Sequence, residues 1–265
     1  MIGHKITGAE FRVPPSVKPR PLRIFPDPAR MRERMQGCII DALDRYGKTV
    51  VFQLRRNSGH DGRMLLLVHL GMTGRLTCER TPAFSDKHTH AVLSLDAPGR
   101  WIHYSDIRRF GRLRLSEKIP DDLGKLGPDP LEISEEEFRA RLRPRRVMLK
   151  SLLLDQHFLR GLGNIYADES LFRAGIHPAA LASRLSRRRA LRLYEAIRAT
   201  LSQAIAQGGS SISNYVDAEG RRGWFQLRHQ VYRRTGLPCF GCGARIRKMT
   251  VASRSTHFCP RCQKK

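Results

Sequence analysis

Acidic residues are scarce in this sequence: 24 Asp and Glu stand against 49 Lys and Arg, a formal charge of +25 at pH 7. A compact fold with that imbalance repels itself unless a polyanion offsets it. Binding to DNA or RNA, with release of condensed counterions, is the usual compensation. A ribosome-associated protein or a membrane-surface binder is the alternative that charge alone leaves open. Long hydrophobic runs are also missing, since no stretch reaches the roughly 18 apolar residues a spanning helix needs. Met1 to Arg12 is polar and mixed, without the apolar centre of a secretion signal. The expectation is a soluble, cytoplasmic protein with no membrane partner. No internal repeat appears, which excludes a solenoid.

What is present suffices for a core. Hydrophobic residues make up 40% of 265, a length that suits one or two domains plus a small module. Six cysteines occur. Cys38 and Cys78 are isolated among apolar neighbours and read as buried thiols. Cys239, Cys242, Cys259 and Cys262 form two C-x2-C pairs separated by sixteen residues. Without a secretion signal, that spacing points to a metal rather than to disulfides. Four thiolates close a tetrahedral Zn²⁺ shell and leave no open position, so the expected ion is one structural zinc. Arg245, Arg247, Lys248 and Arg254 lie between the pairs, on what reads as a β-hairpin offering cations to nucleic acid. The alternative is a ribbon that only staples the C-terminus.

From His4 to about Ser116 the pattern is strand-like, with short β-rich runs such as 49–54, 64–70 and 90–95 separated by Gly, Pro and Asp. One helix interrupts it, from Asp27 through Met35 with Pro28 at its first position. After the turn-rich Leu126-Gly127-Pro128-Asp129-Pro130 the period changes. Ser134-x-x-Glu137 is a capping box opening a helix toward Leu142. Further helices are expected at 147–155, 165–174 and 186–207, the last closed by Gly208-Gly209. The fold class is therefore α+β: an N-terminal β-sandwich (1–120), a helical domain (121–225) and a zinc-finger β-hairpin (226–265).

Three loops carry candidate chemistry. Gly161-Leu162-Gly163-Asn164 permits close backbone approach and opens a helix whose free N–H groups suit an anion. Taken alone it reads rather as an ordinary helix–helix turn. His69-Leu70-Gly71-Met72-Thr73-Gly74 and Asp106-Ile107-Arg108-Arg109-Phe110-Gly111 place Met, Arg and Phe on tight turns. Such side chains can wedge a base stack, although singly each reads as an ordinary core or surface residue.

Taken together and in order, HLGMTG (69–74), KHTH (87–90), DIRRFG (106–111), LGPDPL (126–131), GLGNIYADE (161–169), GIHP (175–178), QGGSS (207–211) and QVYRRTGLPC…CQ (230–263) resemble the formamidopyrimidine-DNA glycosylase and endonuclease VIII family, over nearly the whole chain. The pattern is closest to the formamidopyrimidine branch, because 208–225 looks like that branch's loop over an extruded base. The resemblance implies a helix-two-turn-helix domain at 121–225. It also implies a base-excision repair enzyme, a DNA glycosylase and AP lyase catalysing β,δ-elimination. Its partner would be duplex DNA carrying oxidised purines (8-oxoguanine, formamidopyrimidines) or abasic sites, bound as a monomer. By position, Lys48 is the implied proton donor for β-elimination, and Arg254 the residue that assists δ-elimination and grips flanking phosphates. His88, Arg108 and Arg145 match DNA-backbone contacts, with Lys150 and Asn164 as further phosphate ligands. Met72, Arg108 and Phe110 match the trio that fills the hole left by the flipped base.

One element of the family pattern has no counterpart. Relatives begin with a helix whose N-terminal proline supplies the amine that attacks the sugar C1′ and whose adjacent glutamate moves protons. This chain begins at what resembles the following strand, Ile2 to Ala9. The expectation is that translation starts upstream of Met1. The alternative is a catalytically inactive damaged-DNA-binding protein.

Overall fold

The computed structural model describes residues 1–12, 22–56, 62–82, 84, 86–211 and 216–265. Contacts group the chain into two compact units, not three. One is Met1–Gly124 with Ser210–Gly223, the other Lys125–Gly209 with Trp224–Lys265. The helical segment and the zinc finger, expected as separate domains, share the second unit.

The first unit is the β-sandwich. Its strands are β1 (Ile6–Phe11), β2 (Arg23–Phe25), β3 (Ile39–Tyr46), β4 (Thr49–Arg55), β5 (Arg63–His69), β6 (Gly74–Glu79), β7 (Thr89–Leu95), β8 (Trp101–Asp106) and β9 (Arg112–Ser116). They form a four-stranded sheet, β1-β7-β8-β6, and a five-stranded sheet, β2-β9-β5-β4-β3. All pairings are antiparallel except β2 with β9. Inward-facing residues of both sheets, among them Ile6, Phe52, Leu66, Leu93 and Ile102, make one core. Each such side chain contributes roughly 1.5–3 kcal/mol by leaving water. Helix α1 (Pro28–Met35) adds Met31 and Met35 to this core. It starts where expected: Pro28 occupies the first turn, and the Asp27 carboxylate accepts from the amides of Ala29 and Arg30, each at 3.1 Å. A short helical turn, α2 (Asp121–Gly124), ends the unit's main segment.

The second unit holds α3 (Glu135–Leu142), α4 (Leu149–Leu154), α5 (Asn164–Arg173) and α6 (Arg187–Ala206). Ser134 caps α3 by accepting from the Glu137 amide at 3.1 Å. Only half of the expected capping box forms, because the Glu137 carboxylate pairs with Arg141 instead. In α6, Ala190, Leu193, Ala196, Ile197, Thr200 and Ala204 form a buried stripe at helical spacing. They pack with Phe138, Phe158, Leu159 and Leu162 in one core, apart from Thr200 and Ala204. The helix stops at two left-handed glycines, Gly208 (φ 67°) and Gly209 (φ 84°), with the Gly209 amide returning to the Ala204 carbonyl. Helix α4 is shorter than expected. Met148 is extended and bridged to Leu181, and the amides of Leu149 and Lys150 are claimed by the carbonyls of Ala180 and Pro178. A hairpin of β10 (Arg247–Val251) and β11 (Arg254–Phe258) completes the unit. Among the described residues, no helix is long and apolar enough to cross a membrane.

Candidate nucleic-acid interface

In the β unit, the loops after β5 and after β8 are fastened to each other by one buried carboxylate. Asp106 accepts from the amides of Arg108 (3.2 Å) and Gly111 (2.8 Å), from the Tyr104 hydroxyl (3.2 Å) and from the Thr73 hydroxyl. The Thr73 oxygen also accepts from the Arg108 amide, at 3.2 Å. Two glycines let the loops approach this closely. Gly71 is left-handed (φ 65°), and a Cβ there would stand 2.9 Å from the Phe110 carbonyl carbon; one at Gly111 would stand 1.9 Å from the Tyr104 hydroxyl.

The consequence is a cluster of three side chains at the loop tips. The Arg108 guanidinium lies over the Phe110 ring, 4.4 Å from its centroid, and donates to the Met72 sulfur at 3.5 Å. Met72 is 61% and Phe110 50% exposed. Exposing two large apolar groups on a pinned scaffold serves no folding purpose, and a stacked partner is what such a cluster lacks. His88 is tied to the same place, because its carbonyl accepts from the Asp106 amide at 2.9 Å and its own amide donates to Asp86. Lys48 is exposed on the tight turn between β3 and β4, after left-handed Gly47 (φ 60°). Its neighbour Thr49 pairs with His69, which begins the Met72 loop. Burial holds the His69 imidazole below the ordinary histidine range, and the charges of Arg112 and Lys48 push the same way. Of the expected base-covering loop, residues 212–215 lie outside the described residues. Its described part is fastened to β6 by the Cys78 amide, which donates to the Ala218 carbonyl at 2.7 Å.

In the helical unit, the side chains of α5 hold the zinc-finger segment. Asn164 donates to the Ser255 carbonyl at 3.0 Å, and the Asp168 carboxylate accepts the His257 amide at 3.0 Å. Glu169 accepts three successive amides, those of Gln230, Val231 and Tyr232, at 2.8–3.0 Å. Arg254 is thereby presented at the hairpin, exposed and without an ion pair among the described residues. The turn that precedes it, Ala252-Ser253, has both φ angles positive (49° and 56°), the geometry that matches the twist of paired strands. Arg145 is exposed beyond α3, its carbonyl accepting from Ser183. The connection between α4 and α5 is clamped by Gln156, which bonds the Gly161 amide and the Leu154 and Leu162 carbonyls.

Lys150 departs from its expected place on a phosphate. It is fully buried, its Nζ paired with Asp168 and donating to the Asn164 carbonyl at 3.4 Å. The inward face of α4 carries it toward α5. Burial lowers its pKa and the Asp168 charge raises it, the first effect being the larger. Lys150 thus stands beside the α5 groups that carry Asn164 and hold the Arg254 hairpin.

The sulfurs of Cys239, Cys242, Cys259 and Cys262 all lie within 4.8 Å of one another, with Cys239–Cys262 at 3.9 Å and Cys242–Cys259 at 3.4 Å. Sulfurs ~2.3 Å from a tetrahedral zinc stand ~3.8 Å apart, so the residues fit the ion. The Ala244 amide lowers the Cys242 thiol to about 7, while burial raises Cys259.

Against this geometry the comparisons decide the family. Residues 1–113 match the formamidopyrimidine-DNA glycosylase N-terminal domain, 126–216 its H2TH domain, and 236–265 the zinc finger found in FPG and IleRS. The formamidopyrimidine-DNA glycosylase of Solibacter usitatus is 49% identical over 100% of this chain and 94% of its own length. The chain belongs to the formamidopyrimidine-DNA glycosylase family. The Thermus thermophilus glycosylase is 42% identical over 95% of this chain and 94% of its own length. A crystal structure from the same organism superposes with TM-score 0.82 at 38% identity, covering 99% of this chain and 92% of that one. A Lactococcus lactis Fpg mutant in complex with Fapy-dG-containing DNA superposes with TM-score 0.85 at 33% identity, covering 100% and 94%. Another Lactococcus lactis structure holds abasic-site DNA, with TM-score 0.86.

In this glycosylase chain, sequence motifs supplied the side chains at the loop tips but not the groups beneath them. Asp106 and Asp168 sat inside recognised motifs without an assigned task, and Gln156 lay outside every one. Their neighbours give no signal, since Asp106 follows Ser105 and Asp168 stands beside a second acid, Glu169.

Proposed function

We propose that this glycosylase excises oxidised purines, 8-oxoguanine and formamidopyrimidines, from duplex DNA and then cleaves the abasic strand as an AP lyase. The observation that carries the reading is the Met72–Arg108–Phe110 cluster pinned by Asp106. Extruding a base costs a few kcal/mol of lost stacking. An exposed thioether, a guanidinium and a phenyl ring held as one body fit the emptied position and offset that loss. Relatives whose structures contain Fapy-dG or abasic-site DNA point to the same substrates.

His88, Arg108, Arg145 and Asn164 take the phosphates, and Arg254 grips those flanking the lesion. Within the family an N-terminal proline amine displaces the base at C1′ and leaves an imine. Elimination then removes a C2′ proton and breaks the C3′–O bond, for which Lys48 is the proton donor; Arg254 assists the second elimination. Duplex DNA is the partner, the chain acts as a monomer, and its place is the cytoplasm with the nucleoid. Borohydride trapping on a duplex containing 8-oxoguanine, using the protein expressed from its own gene, tests the reading. A covalent adduct with strand nicking supports it. Binding without adduct or nicking overturns it in favour of a damage-binding protein without catalysis.

A further inference from the structure

The helical unit contains a groove of about 430 Å³ outside the residues assigned above, formed by α3, the 182–187 stretch and the start of α6. Its floor is apolar, with Leu142, Ala182, Leu185 and Ala190, and Ala140 stands at its edge. Arg139, Arg143 and Arg187 line the rim together with one acid, Glu136. Arg139 is paired with Glu135, but Arg143 and Arg187 have no acidic partner among the described residues. Three consecutive arginines, Arg187 to Arg189, occupy the first turn of α6 with no acid among them. Cations at that end oppose the helix dipole. Arg189 turns to the carbonyl oxygens of Lys264 and Lys265, at 2.8 and 3.1 Å, whereas Arg187 at the groove has no such partner among the described residues.

We propose that this groove docks an acidic peptide segment of a partner protein that also carries one bulky apolar side chain. Arg143 and Arg187 take its carboxylates, and the apolar residue enters the cleft over Leu142 and Leu185. A DNA backbone offers anions but nothing for an apolar floor. Glu136 accepts a peptide N–H. The groove thus supplies recruitment independent of lesion binding, and it does not rest on the glycosylase reading.

The test is fluorescence anisotropy with the full chain and a labelled probe, Asp-Glu-Asp-Phe-Asp-Leu. Binding is expected, weakened at least tenfold by the double variant Arg143→Glu/Arg187→Glu and at least tenfold when the probe's Phe is replaced by Gly. Ala140→Trp, at an exposed position, is expected to fill the cleft and remove the contribution of the probe's Phe while leaving the charges in place. Unchanged melting temperatures of both variants verify that they fold. No binding by the parent chain, or binding indifferent to these changes, overturns the proposal. So does a loss of about two units in the salt slope of duplex binding by the double variant, which makes the groove part of the phosphate grip.

Discussion

In the β unit, a single carboxylate, Asp106, fixes two loops and through them Met72, Arg108 and Phe110. In the helical unit, Arg254 rests on a four-cysteine site and on α5, where Asn164, Asp168 and Glu169 each bond to the C-terminal segment. The difference fits the tasks proposed for the two. A wedge has to enter a base stack, so its tips must be apolar and exposed, and rigidity must come from beneath. A grip on phosphates needs only cations at fixed spacing, and a metal-closed hairpin provides that in a segment too small for a large core. The β unit should therefore carry discrimination between lesion and intact DNA, and the helical unit affinity for the backbone.

Removing the metal separates the two most strongly. Chelation is expected to unfold 236–265 and lower affinity for an abasic duplex by on the order of 100-fold, while amide protection at Phe52 and Leu66 in the β core persists. Hydrogen exchange and anisotropy on metal-depleted protein check this; unchanged affinity after verified zinc loss would break the account of the finger. Next in size is Asp168→Ala, which leaves the buried Lys150 amine without its carboxylate partner. It is expected to cost ~3–5 kcal/mol by urea denaturation, and Lys150→Met/Asp168→Leu is expected to recover most of that. A cost below about 1 kcal/mol would show that the pair is solvated in solution.

These two predictions also mark where the sequence stopped being legible. Asp27-Pro28 and Ser134 announced their helices because capping is local chemistry, and the cysteine spacing announced the metal. The loop tips were legible as motifs. The supports were not, because nothing local tells Lys150 that its charge points inward to Asp168, eighteen residues later, rather than outward. The Ala252-Ser253 turn lacks the Asn-Gly signature of its geometry and is held in place by the pairing of β10 with β11. The start of α4 lies later than 147 because its first amides belong to Pro178 and Ala180, partners that no window on 147–155 contains.

A smaller effect sharpens the β side. Asp106→Ala frees both loops, and affinity for an abasic duplex is expected to fall about tenfold, the worth of one hydrogen bond to a charged group. Affinity for intact DNA should stay within about twofold. An equal loss on both duplexes would mean that the carboxylate supports the unit in general rather than the wedge.

The most direct measurement is the ratio of abasic to intact duplex affinity, taken across salt concentration for Met72→Ala and Arg254→Ala. Met72→Ala is predicted to lower the ratio several-fold without changing the salt slope. Arg254→Ala is predicted to leave the ratio nearly unchanged and to reduce the slope by about 0.9 for each phosphate that the guanidinium had neutralised. If both variants lower the ratio and the slope alike, the division between a discriminating β unit and a gripping helical unit is wrong.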